Sequence, residues 1–139
     1  MSAAPSAGYS GTPLARKLGV REGCRLWTGN APAAYRDWLA PLPPGVQFVA
    51  QLDAAVDLAH LFTAGRAELD AALRHARQVL APTAVLWISW PKKSSKLPSE
   101  VTEETIRELA LPLGFVDVKV CAVDEVWSGL KLVVRRELR

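Results

Sequence analysis

The 139-residue sequence is poor in the residues that make covalent or metal chemistry: two cysteines, two histidines and one methionine. Cys24 and Cys121 lie far apart in apolar runs. They read as reduced, buried thiols, because a free cysteine behaves as a small hydrophobe and nothing points to the oxidising compartment a disulfide needs. His60 and His75 belong to no CxxC or HxxxH spacing, which argues against a metal site. No run approaches the roughly 18–20 apolar residues of a membrane span. The best, Ala84-Val85-Leu86-Trp87-Ile88, is the size of a strand. Met1 to Gly8 has neither the basic start nor the apolar block of a secretory signal, so the cytoplasm is the expected location. Seventeen Lys and Arg against fourteen Asp and Glu give +3, too small an excess to argue for nucleic acid.

What is present is enough for one core. Half the residues are hydrophobic and 22% are charged, which excludes a disordered chain. The length fits a single domain. Residues 1–13, rich in Ser, Ala, Gly and Pro, read as a flexible arm, and 14–139 as one domain without internal repeats.

The periodicities alternate. Leu14 to Leu18 can form a short helix stopped by Gly19. Cys24 to Thr28 is strand-like. Asn30 suits a helix N-cap, with Pro32 in the first turn. Tyr35, Trp38, Leu39 and Leu42 then mark a helical face that ends at Pro41, Pro43 and Pro44. Val46–Leu52 and Val56–Phe62 read as two strands. Leu69, Ala72, Leu73, Ala76, Val79 and Leu80 make the clearest helical stripe. Ala84 to Trp90, apolar almost throughout, reads as a central strand covered on both faces. A polar loop with three lysines runs from Pro91 to Ser99. Thr102 can cap a helix carrying Ile106, Leu109, Ala110 and Leu113, which Gly114 ends. Phe115–Val123 and Leu130–Arg136 are two β-rich runs. The connection over 124–129 is too short for a helical crossover, so they form an antiparallel hairpin.

This order is α/β. A mostly parallel sheet ending in an antiparallel hairpin resembles the Rossmann-like sheet of S-adenosylmethionine-dependent methyltransferases. Val56-Asp57-Leu58 resembles the opening of that class's fourth strand. Leu80-Ala81-Pro82-Thr83-Ala84-Val85-Leu86 resembles the turn into its fifth, with Thr83 and Ala84 where glycines usually stand. The resemblance implies that one strand-helix unit has been lost between Leu52 and Val56. Three strings, Gly8-Tyr9-Ser10-Gly11-Thr12-Pro13-Leu14, Trp90-Pro91-Lys92-Lys93 and Val118 to Lys131, also resemble a small bacterial family of the domain-of-unknown-function kind. It implies relatives but no activity.

In such a sheet, ligands bind beyond the carboxyl ends of the strands, where strand order reverses. The resemblance implies a glycine-rich turn after the first strand, close to the cofactor. Here it is Thr28-Gly29-Asn30-Ala31-Pro32, with one glycine and a proline that removes a backbone donor. Asp53, 24 residues after Gly29, stands where an acidic residue would hold the ribose, and is equally an ordinary turn residue. The same edge should collect Trp90, Lys92 and Lys93 beside Asp124, Glu125 and Trp127. An aromatic pair with lysines and carboxylates can hold a flat or anionic ligand, or a protein partner. His60 reads as packed and hydrogen-bonded. Ser89 lacks a GxSxG elbow and a suggestively spaced histidine, so no hydrolase is expected.

The expectation is therefore a non-catalytic, degenerate methyltransferase-like domain without cofactor, binding a small molecule or a protein at the carboxyl edge through Gly29, Asn30, Asp53, Trp90, Lys92, Lys93, Asp124, Glu125 and Trp127. One alternative is an active methyltransferase using S-adenosylmethionine. The other is weak nucleic-acid binding, should the basic ends (Arg16, Lys17, Arg21 and Arg25; Lys131, Arg135, Arg136 and Arg139) share a surface. The Ala-rich stripe and the hairpin leave a homodimer open.

Overall fold

The computed structural model describes residues 12–139. The expected arm, apart from Thr12 and Pro13, lies outside the described residues, as do Gly8 to Gly11 of the first resembling string. Ten elements follow: α1 (Leu14–Leu18), β1 (Arg25–Gly29), α2 (Tyr35–Leu39), β2 (Gln47–Val49), β3 (Leu58–Phe62), α3 (Arg66–Val79), β4 (Val85–Pro91), α4 (Glu103–Ala110), β5 (Phe115–Ala122) and β6 (Trp127–Val134).

The strands form one six-stranded sheet in the order β2-β1-β3-β4-β6-β5. The first four are parallel; β6 runs antiparallel to β4, and β5 antiparallel to β6. This is the methyltransferase-like Rossmann sheet, mostly parallel with a terminal antiparallel pair. The unit missing between β2 and β3 is visible as a connection, residues 50–57, that contains no helix.

Alternation along the strands sends side chains to two cores. One packs Leu26, Leu58, Phe62 and Trp87 under α1 and α2. The other packs Ala59, Leu61, Leu86, Ile88, Leu130 and Leu132 under α3 and α4. Gly19 and Gly114, at φ 86° and 104°, stop their helical segments as the sequence suggested. Thr102 caps α4: its Oγ1 accepts from the Thr105 N–H, and the Thr105 hydroxyl accepts from the Thr102 N–H.

Three expectations shift. The second strand is only Gln47–Val49, because the chain must turn at once to cross β1. The last strand begins at Trp127, not Leu130, which moves Trp127 from the turn into the ladder. Asn30 is not a helix cap: α2 starts at Tyr35, and Asn30 adopts a left-handed conformation with φ 58°.

A polar chain crosses the α1/α2 side. His60 is fully buried and stacks on Phe62 at 4.4 Å between ring centroids. Its Nδ1 lies 2.8 Å from the Tyr35 hydroxyl and its Nε2 2.7 Å from the Ser89 Oγ. A neutral imidazole serves both, donating from one nitrogen and accepting at the other. The Trp87 Nε1–H donates to the Leu18 carbonyl at 2.9 Å and fastens α1 to β4. His60 is therefore the packed, hydrogen-bonded residue expected.

Burial pushes the His60 pKa down to about 3 from 6.5. The native state excludes a proton that the unfolded chain accepts, so this contribution is present above pH 6.5 and is lost as pH falls from 6.5 towards 3. Denaturant titrations should show stability falling as pH drops through that window, on the order of 1 kcal/mol per pH unit from this residue. The His60→Gln variant should have a correspondingly flatter profile; parallel profiles for the two proteins would contradict the assignment.

Candidate functional site

The strand order reverses between β1, whose sequence neighbour β2 lies on one side, and β3, whose neighbour β4 lies on the other. A crevice is expected at the carboxyl ends of those two strands. There the protein's own side chains pack closely on Gly29. A Cβ built on Gly29 would stand 2.5 Å from Cη2 of Trp27 and 2.8 Å from Cδ1 of Leu61. The close approach that this glycine permits is thus taken by the Trp27 indole. Asn30 closes the gap beside it, its Nδ2–H donating to the Phe62 carbonyl at the end of β3, 3.2 Å away. Asp53 is exposed, and its Oδ1 accepts from the Ala55 N–H at 2.9 Å, the ordinary turn role. The glycine, the asparagine and the aspartate do not fit an S-adenosylmethionine cradle.

The second half of the expected site is joined but differently arranged. The Lys92 N–H donates to the Val126 carbonyl at 2.7 Å, so the Trp90-Pro91-Lys92-Lys93 segment does meet the β5–β6 turn. Trp90 and Trp127 do not form a pair. Trp90 stands opposite Ser128 and Pro91 opposite Trp127. Directly opposed residues share a sheet face, so neighbours along a strand point apart. Trp90 is 8% exposed among the α3/α4 core, whereas Trp127 packs edge-on against Phe62 at 5.1 Å on the other side. Asp124 is committed to the turn, its Oδ1 accepting from the N–H groups of Val126 and Trp127 at 2.9 and 2.7 Å. Lys93 and Glu125 are exposed.

The open space lies beside the carboxyl edge, on the α3 side. A cavity of about 330 Å³ is bounded by Trp27, Leu61, Leu86 and Ile88 of the sheet, by Ala72 and Ala76 of α3, and by Ala50, Gln51 and Leu52 after β2. It falls where a helical crossover from β2 to β3 would otherwise cover β1. His75 and Gln51, both exposed, supply polar groups at its boundary. The size and apolar lining suit a small organic ligand. Sequence reasoning missed this cavity, although Ala72 and Ala76 in the α3 stripe and the short Leu52–Val56 gap were its signals. It also missed the Ser89–His60 contact, which spacing along the chain does not reveal. Both residues are fully buried, so no substrate reaches the pair. Among the described residues, no group of three or more His, Cys, Asp or Glu side chains could hold a metal ion, and no helix is long and apolar enough to cross a membrane.

No family model matches the sequence, and no curated protein matches it. Solved structures do. A proposed type 11 methyltransferase of Sulfolobus solfataricus superposes with a TM-score of 0.65 at 12% identity, over 94% of each chain. A SAM-dependent methyltransferase of Aquifex aeolicus gives 0.60 at 14% identity, over 86% of this chain and 87% of the other. A possible exported protein of Bordetella parapertussis gives 0.63 at 15% identity; 87% of this chain is covered, and the chain spans 65% of that one. At such identities the likeness shows the fold: a methyltransferase-like Rossmann sheet.

The contact between Trp27 and Gly29 is open to a double-mutant cycle. Gly29→Ala should destabilise the protein by about 1–2 kcal/mol, the cost of forcing extra volume under the indole. In a Trp27→Ala background the same substitution should cost less, the contact with Leu61 Cδ1 remaining. Equal costs in both backgrounds, by chemical denaturation, would show that the indole does not occupy the space.

Proposed function

We propose that the chain is a non-catalytic, methyltransferase-like domain that binds a small, flat, largely apolar molecule in the cavity beside Trp27. One observation carries the reading: the indole that packs on Gly29 also forms a wall of the cavity. The side chain packed on Gly29 provides an aromatic surface for a ligand. The remaining apolar lining offers dispersion contacts to a ring, and His75 or Gln51 can meet one polar substituent at the mouth. The fold likeness to methyltransferases accounts for the scaffold, and fold alone does not fix function.

Calorimetry should detect no binding of S-adenosylmethionine; micromolar affinity would overturn the non-catalytic reading. The cavity is tested with p-cresol, a flat ring bearing one hydroxyl. Saturable displacement of the Trp27 indole N–H resonance is expected in the native sequence and is expected to vanish in Ala72→Phe, whose ring fills the space. A native-like response in a folded Ala72→Phe variant, or no saturable response in the native protein, would defeat the assignment.

A further inference from the structure

The opposite, amino edge of the sheet holds a second cavity, of about 380 Å³, between the end of α1 and the starts of β1, β3 and β4. Its character is different. Leu18, Leu58 and Val85 give it an apolar surface, while Arg21, Lys131 and the Thr83 side chain give it polar groups.

The cations here are arranged unlike the paired arginines of α3 and α4. Arg66 pairs with Glu108, Arg74 with Asp70, and Arg107 with Asp117, Glu103 and Glu104. By contrast Lys131 stands directly opposite Lys119 in the β5–β6 ladder, on one sheet face. Like charges in that position repel. Arg21 brings a third positive charge to the same place, and burial together with Lys119 and Arg21 lowers the pKa of Lys131. None of Arg21, Lys119 and Lys131 makes a side-chain hydrogen bond or ion pair with another described residue. Two carboxylates, Glu22 and Asp57, also border the cavity, and neither forms an ion pair with these cations. The Asp57 Oδ2 accepts from the Arg25 N–H at 2.8 Å, and Glu22 is exposed and pairs with neither Arg21 nor Lys131. Two of the residues that the sequence offered as a basic surface, Arg21 and Lys131, do come together, around a cavity of small-molecule size.

We propose that this cavity binds a small organic anion, a phosphate monoester or a carboxylate, whose charge lies between Lys131 and Arg21 and whose apolar body lies along Leu18, Leu58 and Val85. Bound charge offsets the repulsion among the three cations, and the apolar surface favours an organic ion over a bare one. The site stands at the other end of the strands from the Trp27 cavity, so either assignment can fail alone.

The test is a titration of the full chain with inorganic phosphate, phenyl phosphate and benzoate at constant ionic strength, read on the amide resonances of Cys24, Leu58 and Thr83. Saturable shifts are expected with phenyl phosphate or benzoate, and the tighter of the two identifies the anionic group. Inorganic phosphate should bind at least tenfold more weakly. Lys131→Met should weaken binding at least tenfold and raise the melting temperature of the free protein, because Lys119 loses a like-charged neighbour. Lys93→Met, at the other edge, should bind as the native protein does. The proposal is overturned by an absence of saturable shifts, by native-like binding in Lys131→Met, or by an equal loss in Lys93→Met, which would indicate diffuse charge. Equal affinity for inorganic and phenyl phosphate would overturn the organic part. Should Lys131→Met fail to fold, Arg21→Gln reads the same anion contact.

Discussion

Residues 50–57 must carry the chain from the carboxyl end of β2, past β1, to the amino end of β3. A helical crossover takes about a dozen residues or more, so this stretch has room only for bends and one turn, closed by the Val56 N–H donating to the Asp53 carbonyl. Much of the molecule's character follows from that shortage. With no helix over β1 on the α3 side, Trp27 is only partly buried. Its indole folds against Gly29 and Leu61, where it recovers some of the burial that the missing helix would have provided. A cavity is left between the indole, α3 and the chain after β2.

The two sides of the sheet respond differently to a small size. The α1/α2 side is polar at its centre, where Tyr35, His60 and Ser89 satisfy one another around a neutral imidazole and Trp87 holds α1 in place. Buried polar chains of this kind favour one arrangement of the core, since any shift leaves a donor or acceptor unmet. The α3/α4 side relies on apolar packing and on the surface ion pairs of Arg107 and Arg66. The cavity on that side is lined mainly by apolar side chains of the sheet and of α3.

The fold was legible in the sequence because its signals are local. The α3 stripe, the Thr102 cap, the stops at Gly19 and Gly114 and the short link over 124–129 each act within a few residues. The site was less legible because it depends on which face a side chain takes. A one-residue difference between Trp90 opposite Ser128 and Pro91 opposite Trp127 separates two tryptophans that look adjacent on paper. Asp53 and Asp124 show the same limit from the other side: the backbone turns they belong to take their carboxylates first. At Gly29 a sequence does not say that the approaching group is Trp27, two residues earlier on the same strand. The Lys119–Lys131 opposition was equally hidden, since it needs the β5 bulge between Asp117 and Lys119 to set the register.

The central claim is that Trp27 and Asn30 occupy the place a methyl donor would need. A crystal structure of the protein grown with excess S-adenosylmethionine tests it most directly. The account predicts the indole seated over Gly29, the Asn30 amide bonded to the Phe62 carbonyl, and no adenosyl density between them. An indole swung aside, with an adenosyl group lodged against Gly29, would contradict it.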